Sequence, residues 1–283
     1  MSILFAIGSL ICAAANDLVF KRYARKPRSI GIYVALVGLI WTAVFTFKAS
    51  PSSFEHLQPA TLWWGIAAGV FSVVSNILLI EAMRHHEAGI CATIYRLNLA
   101  PAAILAFIFL GEQVSMWKVL GILAAAGSVL LFFLPNHSTK THVRHSLPMA
   151  LVAASLLRAG MGISYKVGIS SGADASQFLA INGVLWLVGG LIYAFWLESH
   201  PRTFSLPIFG YGFFSGALVC GIALFMMLAL QRGDASAILP VTQLSFLVTG
   251  ILGTLFLREA FTRRKVAGWI LAGICIIFMS FSA

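Results

Sequence analysis

The chain has 283 residues, of which 60% are hydrophobic and only 10% are charged, and its mean hydropathy is +0.93. Soluble globular proteins carry about 25% charged residues, so this composition excludes a soluble enzyme, a disordered chain and a disulfide scaffold, and it leaves a polytopic membrane protein. The net charge of +10 comes from Lys and Arg scattered among apolar segments, which is typical of cytoplasmic loops and does not indicate a nucleic-acid partner.

Ten apolar stretches follow one another along the chain, each about the 20 residues that a helix needs to cross a bilayer. Their approximate bounds are 2–20, 29–48, 61–83, 88–110, 115–134, 148–168, 176–197, 206–230, 235–257 and 266–282. The first span has no cleavage site after it and is expected to stay in place. We predict an all-α integral membrane protein with ten transmembrane helices, five in residues 1–134 and five in residues 148–283, joined by a linker at 135–147.

The second half of the chain repeats features of the first. A shift of 147 positions aligns residues 64–121 with residues 211–268 without a gap. The most informative aligned pairs are Gly65 with Gly212, Gly69 with Gly216, Glu112 with Glu259, and Gly121 with Gly268. Because each half holds five spans, an odd number, the second copy must enter the membrane upside down relative to the first. The sequence therefore predicts two inverted five-helix repeats, the arrangement of many secondary transporters.

The distribution of basic residues supports opposite insertion of the two halves. Loops after odd-numbered spans carry thirteen Lys and Arg, and loops and span edges on the other side carry four. The loop after span 1 has five of them, whereas its counterpart after span 6 has only Lys166. Because positive loops stay in the cytoplasm, we expect the odd-numbered loops inside the cell and both termini outside.

A set of residues with the same order and spacing recurs in both halves. They are Ala82-Met83, Ala88, Pro101, Gly111-Glu112 and Gly121 in the first half, and Ala229-Leu230, Ala235, Pro240, Glu259 and Gly268 in the second. Together with the stretch from Asn16 to Lys21, they resemble the two EamA repeats of the drug/metabolite transporter superfamily. The resemblance implies ten helices in two inverted halves with a substrate cavity between them. It also implies transport of small metabolites, often outward and often driven by the proton gradient.

Two features depart from the family pattern. Relatives with ten helices are commonly drawn with both termini in the cytoplasm, whereas the loop charges here place them outside. Arg96 stands in a span that is mostly apolar in the family.

Polar residues inside spans 4 and 9 are candidates for substrate binding. An Arg at the centre of a membrane helix costs about 2.5–3.5 kcal/mol, and the guanidinium of Arg96 suits a substrate carboxylate because it binds carboxylate in two places. Tyr95 and Asn98 flank it, and Gln243, preceded by Thr242, is its repeat counterpart. We expect Arg96 and Gln243 to converge at the membrane midplane. The alternative is that they are unrelated polar residues packed between helices.

Spans 1 and 6 carry a second set of candidates. Arg158 in span 6, like Arg96, is either a clamp for an anionic substrate group or a structural Arg paired to a neighbouring acid or carbonyl, and Asn16 in span 1 is a polar neighbour of Asp17. A carboxylate in apolar surroundings takes up a proton more readily than one in water, so Asp17 can couple transport to protons. The alternative is a permanent ion pair of Asp17 with Arg158 or Lys21.

Span 3 contributes two further candidates near its end. Glu81 is a second candidate for proton coupling, or a charge at the helix end. Asn76 lies further inside the span and either hydrogen-bonds a substrate or bridges helices, as polar residues in membranes often do. Most tryptophans, including Trp41, are interpreted as interfacial anchors near span ends.

We expect a secondary carrier that moves a small polar metabolite, such as an amino acid or a related compound, across the bacterial cytoplasmic membrane by alternating access. The alternatives are a channel-like or non-transporting membrane protein and a membrane-embedded enzyme. No catalytic residue, cofactor or metal site is predicted, because the adjacent His85-His86-Glu87 cannot share one helix face. The expected partners are the small-molecule substrate and the lipid bilayer. The glycine pairs of spans 3 and 8 are interpreted as packing helices within the bundle, and the alternative is a dimer face for a second copy of the chain.

Overall fold

A computed structural model describes residues 1–24, 26, 28–49, 51–85, 95, 98–133, 146–198, 206–245, 248 and 263–281. These residues contain ten α-helices and no strand: α1 (Ser2–Ala24), α2 (Ile30–Ala49), α3 (Pro59–His85), α4 (Leu99–Leu110), α5 (Met116–Phe133), α6 (Ser146–Ser170), α7 (Ala175–Ile192), α8 (Leu206–Leu230), α9 (Ala235–Gln243) and α10 (Arg263–Ser280). A 3-10 turn (Pro51–His56) precedes α3, and a π-helical turn (Tyr193–Leu197) extends α7. The prediction of an all-α protein is confirmed. Arg96, Glu259 and most of the 135–147 linker lie outside the described residues.

Among the described residues, five helical segments are long and apolar enough to cross a membrane. They are Ser2–Phe20, Ile30–Ala49, Pro59–Ala82, Ala175–Leu197 and Leu206–Leu230. Large apolar side chains cover the outside of the bundle, and Phe47 and Trp196 are 89% and 82% exposed. Such a surface needs hydrocarbon around it, because contiguous apolar patches of this extent are rare on soluble proteins. The chain is therefore a multi-pass membrane protein.

Helices of the first half pack mainly against helices of the second. The main contacts pair α1 with α8, α2 with α7 and α8, α3 with α6 and α7, α4 with α9, and α5 with α10; α1 also touches α9, and α4 touches α6. Replacing each helix by the one five places away maps this pattern onto itself. For example, the α1–α8 contact becomes the α6–α3 contact. The two halves thus contribute equivalent surfaces to one bundle.

The contact between α2 and α7 is made through glycines: Gly31 and Gly38 on α2, and Gly183 and Gly190 on α7. A Cβ atom added to Gly31 would lie 2.4 Å from the backbone nitrogen of Ala194, and one on Gly38 would lie 2.2 Å from that of Leu187. The two helix backbones therefore touch directly. Residue numbers rise along α2 as they fall along α7, so these helices run antiparallel.

The other pair of equivalent helices, α5 and α10, is also antiparallel. Near one end, the Trp117 ring lies 5.5 Å from the Phe281 ring, centroid to centroid. Near the other end, the Ser128 hydroxyl donates to the carbonyl oxygen of Gly268 over 2.8 Å. Residues early in α5 thus lie beside residues late in α10, as residues early in α2 lie beside residues late in α7.

The two glycine pairs that the repeat aligns pack inside the bundle. Gly65 and Gly69 of α3 face α7, where their nearest side chains are Ile181 and Leu185. Gly212 and Gly216 of α8 face Leu36 and Ile40 of α2. Small residues let membrane helices approach closely, and here they bring helices of opposite halves together within one chain.

Carboxylates of one half hold the starts of helices in the other. Glu112, which follows α4, accepts hydrogen bonds from the backbone nitrogens of Ala235 (2.7 Å) and Ser236 (2.9 Å) at the start of α9. Glu198, which follows α7, accepts one from the backbone nitrogen of Ile30 (2.6 Å) at the start of α2. The first N–H groups of a helix have no partner inside it and carry partial positive charge, so each carboxylate satisfies them. Glu112 thus has a structural role at the start of α9.

Candidate functional site

A cavity lies between the two halves of the bundle. Helices α1, α2, α3, α6, α7 and α8 line it, together with Tyr95. Its volume is about 50 Å³, several times the ~10–15 Å³ that one water needs. Its polar and aromatic lining residues are Asn16, Asp17, Phe20, Trp41, Ser72, Asn76, Tyr95, Arg158, Tyr165 and Trp186. A space this polar within an apolar bundle suits water or a small polar ligand.

Five of the residues singled out from the sequence meet in this cavity: Asn16, Asp17, Asn76, Tyr95 and Arg158. Three separate helices and the segment before α4 supply them. Polar groups in a membrane helix are costly when they face lipid, so the same constraint turns each of them toward the interior. The cavity joins residues of span 1 with those of its repeat counterpart, span 6.

Helix periodicity explains which residues of α3 reach the cavity. Ser72, Asn76 and Leu79 are spaced by four and three positions and share one face of the helix. The Asn76 side-chain nitrogen donates to the carbonyl oxygen of Ser72 over 2.9 Å. The indole nitrogen of Trp186 donates to the Ser72 hydroxyl, also over 2.9 Å. These bonds fix the α3 wall of the cavity against α7.

Arg158 brings a positive charge to the cavity. Its guanidinium carbon lies 6.0 Å from the centre of the Tyr95 ring, and one terminal nitrogen is 3.5 Å from the sulfur of Met161. Its Nε is buried and has no hydrogen-bond partner among the residues that the structure describes. Thioether sulfur is a weak acceptor, and a buried donor without a partner costs about 1–3 kcal/mol. A water molecule or an anionic ligand in the cavity would satisfy this donor.

Asp17 brings a negative charge to the same cavity. The neighbouring Asn16 accepts a hydrogen bond through its amide oxygen from the Ser215 hydroxyl of α8. This bond ties α1 to the second half at the cavity wall. The arrangement places a cation, an anion and side-chain amides around one small volume.

Sequence reasoning missed several lining residues. Trp41, interpreted from the sequence as an interfacial anchor, is only 2% exposed and lines the cavity beside Trp186, with their rings 5.5 Å apart. That interpretation is wrong for Trp41, because α2 is buried against α7 and α8 and its ring faces inward. Trp186, Ser72 and Tyr165 are aromatic or small polar residues of a kind that also occurs at ordinary helix contacts, so the sequence carried no separate signal for them.

Other candidates lie away from the cavity lining. Thr242 and Gln243 are buried in α9, where the Gln243 amide nitrogen is 3.4 Å from the Thr242 hydroxyl, which donates to the carbonyl oxygen of Leu239. Asn98 is buried at the start of α4. Glu81 accepts a hydrogen bond from the Tyr193 hydroxyl over 3.1 Å. The expected convergence of Gln243 with Arg96 involves a residue outside the described part of the chain.

The sequence profile of the EamA-like transporter family matches residues 1–134 and 147–281. The chain belongs to the EamA-like transporter family. This EamA chain is also 23% identical over 215 residues to the "Uncharacterized transporter YvbV" of Bacillus subtilis (strain 168). The alignment covers 73% of this chain and 70% of that protein. Its fold is similar to that of a protein of known crystal structure, with a TM-score of 0.79, 13% sequence identity, and coverage of 99% of this chain and 96% of the other.

Membership in this family identifies the chain as a membrane transporter and not an enzyme. The cavity of this EamA protein fits that activity, because its lining carries side chains that can hydrogen-bond a polar solute. Within the described residues, no three His, Cys, Asp or Glu side chains are grouped so that they could hold a metal ion.

Proposed function

We propose that this EamA transporter is a secondary carrier for a small polar metabolite, an amino acid or a related compound, that works by alternating access. The observation that carries the proposal is the cavity between the halves, in which Arg158 presents a buried Nε and Asp17 a carboxylate. A cation and an anion in one small volume complement the carboxylate and ammonium of a zwitterion. The faces of Trp41 and Trp186 offer an apolar surface for the rest of the substrate.

We infer that all ten helices cross the membrane and that the halves, residues 1–134 and 148–283, form an inverted repeat. Two observations support this. Equivalent helices run antiparallel in the α2–α7 and α5–α10 pairs, and the contacts between helices keep their pattern when the halves are exchanged. A two-fold axis that relates two equivalent antiparallel helices is perpendicular to them. For helices that cross a membrane, such an axis lies in the plane of the membrane.

We further propose export from the bacterial cytoplasm, coupled to protons through Asp17, with Glu81 as the second candidate. Asp17 lines the cavity and Glu81 lies outside its lining, where it is bonded to Tyr193, so Asp17 is the better placed of the two. The excess of Lys and Arg after odd-numbered spans supports a cytoplasmic position of those loops, with both termini outside.

Counterflow in proteoliposomes tests the carrier and its site. Vesicles loaded with an unlabelled amino acid are diluted into a trace of labelled amino acid, and only a carrier accumulates the label transiently. Replacing Arg158→Gln removes the cation but keeps much of the volume. Because hydrogen bonds to charged groups contribute about 1.5–3 kcal/mol, we expect exchange to fall by at least about ten-fold at low substrate.

Arg232→Gln is the matched control for this experiment. Arg232 is exposed beyond the end of α8 and bonds the carbonyl oxygen of Leu228, so its loss is expected to leave exchange unchanged. Equal exchange by the two variants would exclude Arg158 from the site. A complete lack of counterflow by the wild-type protein with amino acids, nucleosides and small organic acids would exclude the carrier.

A further inference from the structure

A second cavity, separate from the central one, opens on the outer surface of the bundle between α1 and α8. Its volume is about 630 Å³, compared with about 50 Å³ for the central cavity. We call it the α1–α8 groove, and its lining includes Leu18, Val19, Arg22, Gly210, Tyr211 and Phe214. The two cavities share no described lining residue, so a ligand of the groove is distinct from a substrate between the halves.

The groove lies at the edge of the apolar layer. The apolar segment of α1 ends at Phe20, and that of α8 begins at Leu206. The lining residues of the groove are the last turns of α1 and the first turns of α8, so the groove extends from hydrocarbon depth to the level of lipid headgroups. The sequence 21–28, which covers the end of α1 and the residues before α2, contains five Lys and Arg.

The chemistry of the groove has two parts. Its walls are mostly apolar, and the side chain of Arg22 is exposed at the polar end. A second cation lies at the same edge, since the guanidinium carbon of Arg28 is 4.9 Å from the centre of the Tyr211 ring. The described lining residues include no acidic side chain. A ligand that fits must therefore combine a hydrocarbon chain with an anionic head.

We propose that the α1–α8 groove binds an anionic phospholipid of the adjacent leaflet. One acyl chain lies between Leu18 and Phe214, and the phosphate group is held by Arg22. Clusters of basic residues beside a membrane helix attract anionic lipids. Here the basic residues lie next to the apolar α1–α8 groove, which can hold the acyl chain.

Gly210 leaves the α1–α8 groove open, and its substitution tests whether the groove binds lipid. A Cβ atom added to Gly210 would meet no atom within 4 Å, so Gly210→Leu fills the groove without disturbing the packing of the helix. Gly273 in α10 is the matched control, because a Cβ there also meets no atom within 4 Å and the residue is likewise exposed. Gly273→Leu adds the same side chain to the surface away from the groove.

The experiment is native mass spectrometry of the full chain in detergent with equal amounts of dioleoylphosphatidylglycerol and dioleoylphosphatidylcholine. We expect the wild-type protein and Gly273→Leu to retain phosphatidylglycerol preferentially. Arg22→Gln is expected to lower the bound phosphatidylglycerol about five-fold, which corresponds to ~1 kcal/mol for one basic residue near a lipid surface, and to leave phosphatidylcholine unchanged. Gly210→Leu is expected to reduce binding of both lipids.

Three results would overturn the proposal. The first is lipid retention by Gly210→Leu equal to that of Gly273→Leu. The second is displacement of phosphatidylglycerol by glycerol phosphate as effective as displacement by a second phospholipid. It would mean that the site recognises phosphate without the acyl chain. The third is a protein dimer that only Gly210→Leu abolishes, which would make a second copy the occupant. None of these readouts depends on transport, so the proposed carrier function stands or fails separately.

Discussion

Charged side chains inside the bundle fall into two groups according to what they bond. Lys166 donates to the carbonyl oxygens of Leu230 (2.9 Å) and Gly233 (2.7 Å), at the end of α8. The carboxylate of Glu112 is occupied at the start of α9. These charges are explained by helix ends that need partners. Arg158 differs, because it lines a cavity and its buried Nε has no partner among the described residues, and this difference is why we assign it to the substrate.

Removing the Glu112 carboxylate is expected to destabilise the protein without altering the cavity. Glu112→Ala leaves the backbone nitrogens of Ala235 and Ser236 without an acceptor, at a cost of about 2 kcal/mol. The thermal unfolding midpoint in detergent, recorded at one scan rate, should fall below that of the wild type. Glu55→Ala, which removes an exposed carboxylate, is the control, and equal midpoints for the two variants would contradict the capping role.

At the scale of helices, the α2–α7 contact is the one in which glycines bring the backbones of the two halves into direct contact. The sequence carried a signal for it, since Gly31 and Gly38 are seven residues apart and so are Gly183 and Gly190. These pairs match at a shift of 152, whereas the shift used to find the repeat was 147. The connections between helices differ in length in the two halves, as loops tolerate, so one ungapped alignment cannot reveal every equivalent pair.

Adding one methyl group at this contact tests its importance. Gly38→Ala places a carbon where the nearest atom is the backbone nitrogen of Leu187, and a backbone atom cannot move aside as a side chain can. Overpacking of this kind costs about 1–3 kcal/mol, so the unfolding midpoint and the yield of monodisperse protein should both fall. Gly273→Ala adds the same atom in open space, and Gly38→Ala behaving like Gly273→Ala would show that the helices separate freely.

At the scale of the whole molecule, the sequence predicted what the membrane constrains most strongly. Apolar runs as long as a bilayer is thick predicted the helices, and the cost of polar groups in lipid predicted that Asn16, Asp17, Asn76 and Arg158 face inward. Which apolar or aromatic face turns inward is set by packing between helices distant in sequence. The placement of Trp41 therefore required the structure.

The orientation of the bundle is a prediction from the loop charges. Thirteen Lys and Arg follow odd-numbered predicted spans and four lie at the other loops and span edges, so the positive-inside rule predicts the odd-numbered loops in the cytoplasm and both termini outside. Single cysteines introduced as Arg232→Cys, at an exposed residue after α8, and Ser282→Cys, in a background where Cys12, Cys91, Cys220 and Cys275 are replaced by Ala, should react in intact cells with a maleimide that does not cross membranes.

A cysteine in place of Lys26 is the matched control, since it lies in the loop with five Lys and Arg and should react only after permeabilisation. If Arg232→Cys and Ser282→Cys need permeabilisation while Lys26→Cys does not, the bundle sits the other way up. The α1–α8 groove would then face the outer leaflet, whereas the antiparallel arrangement of α2 with α7 and of α5 with α10 would be untouched.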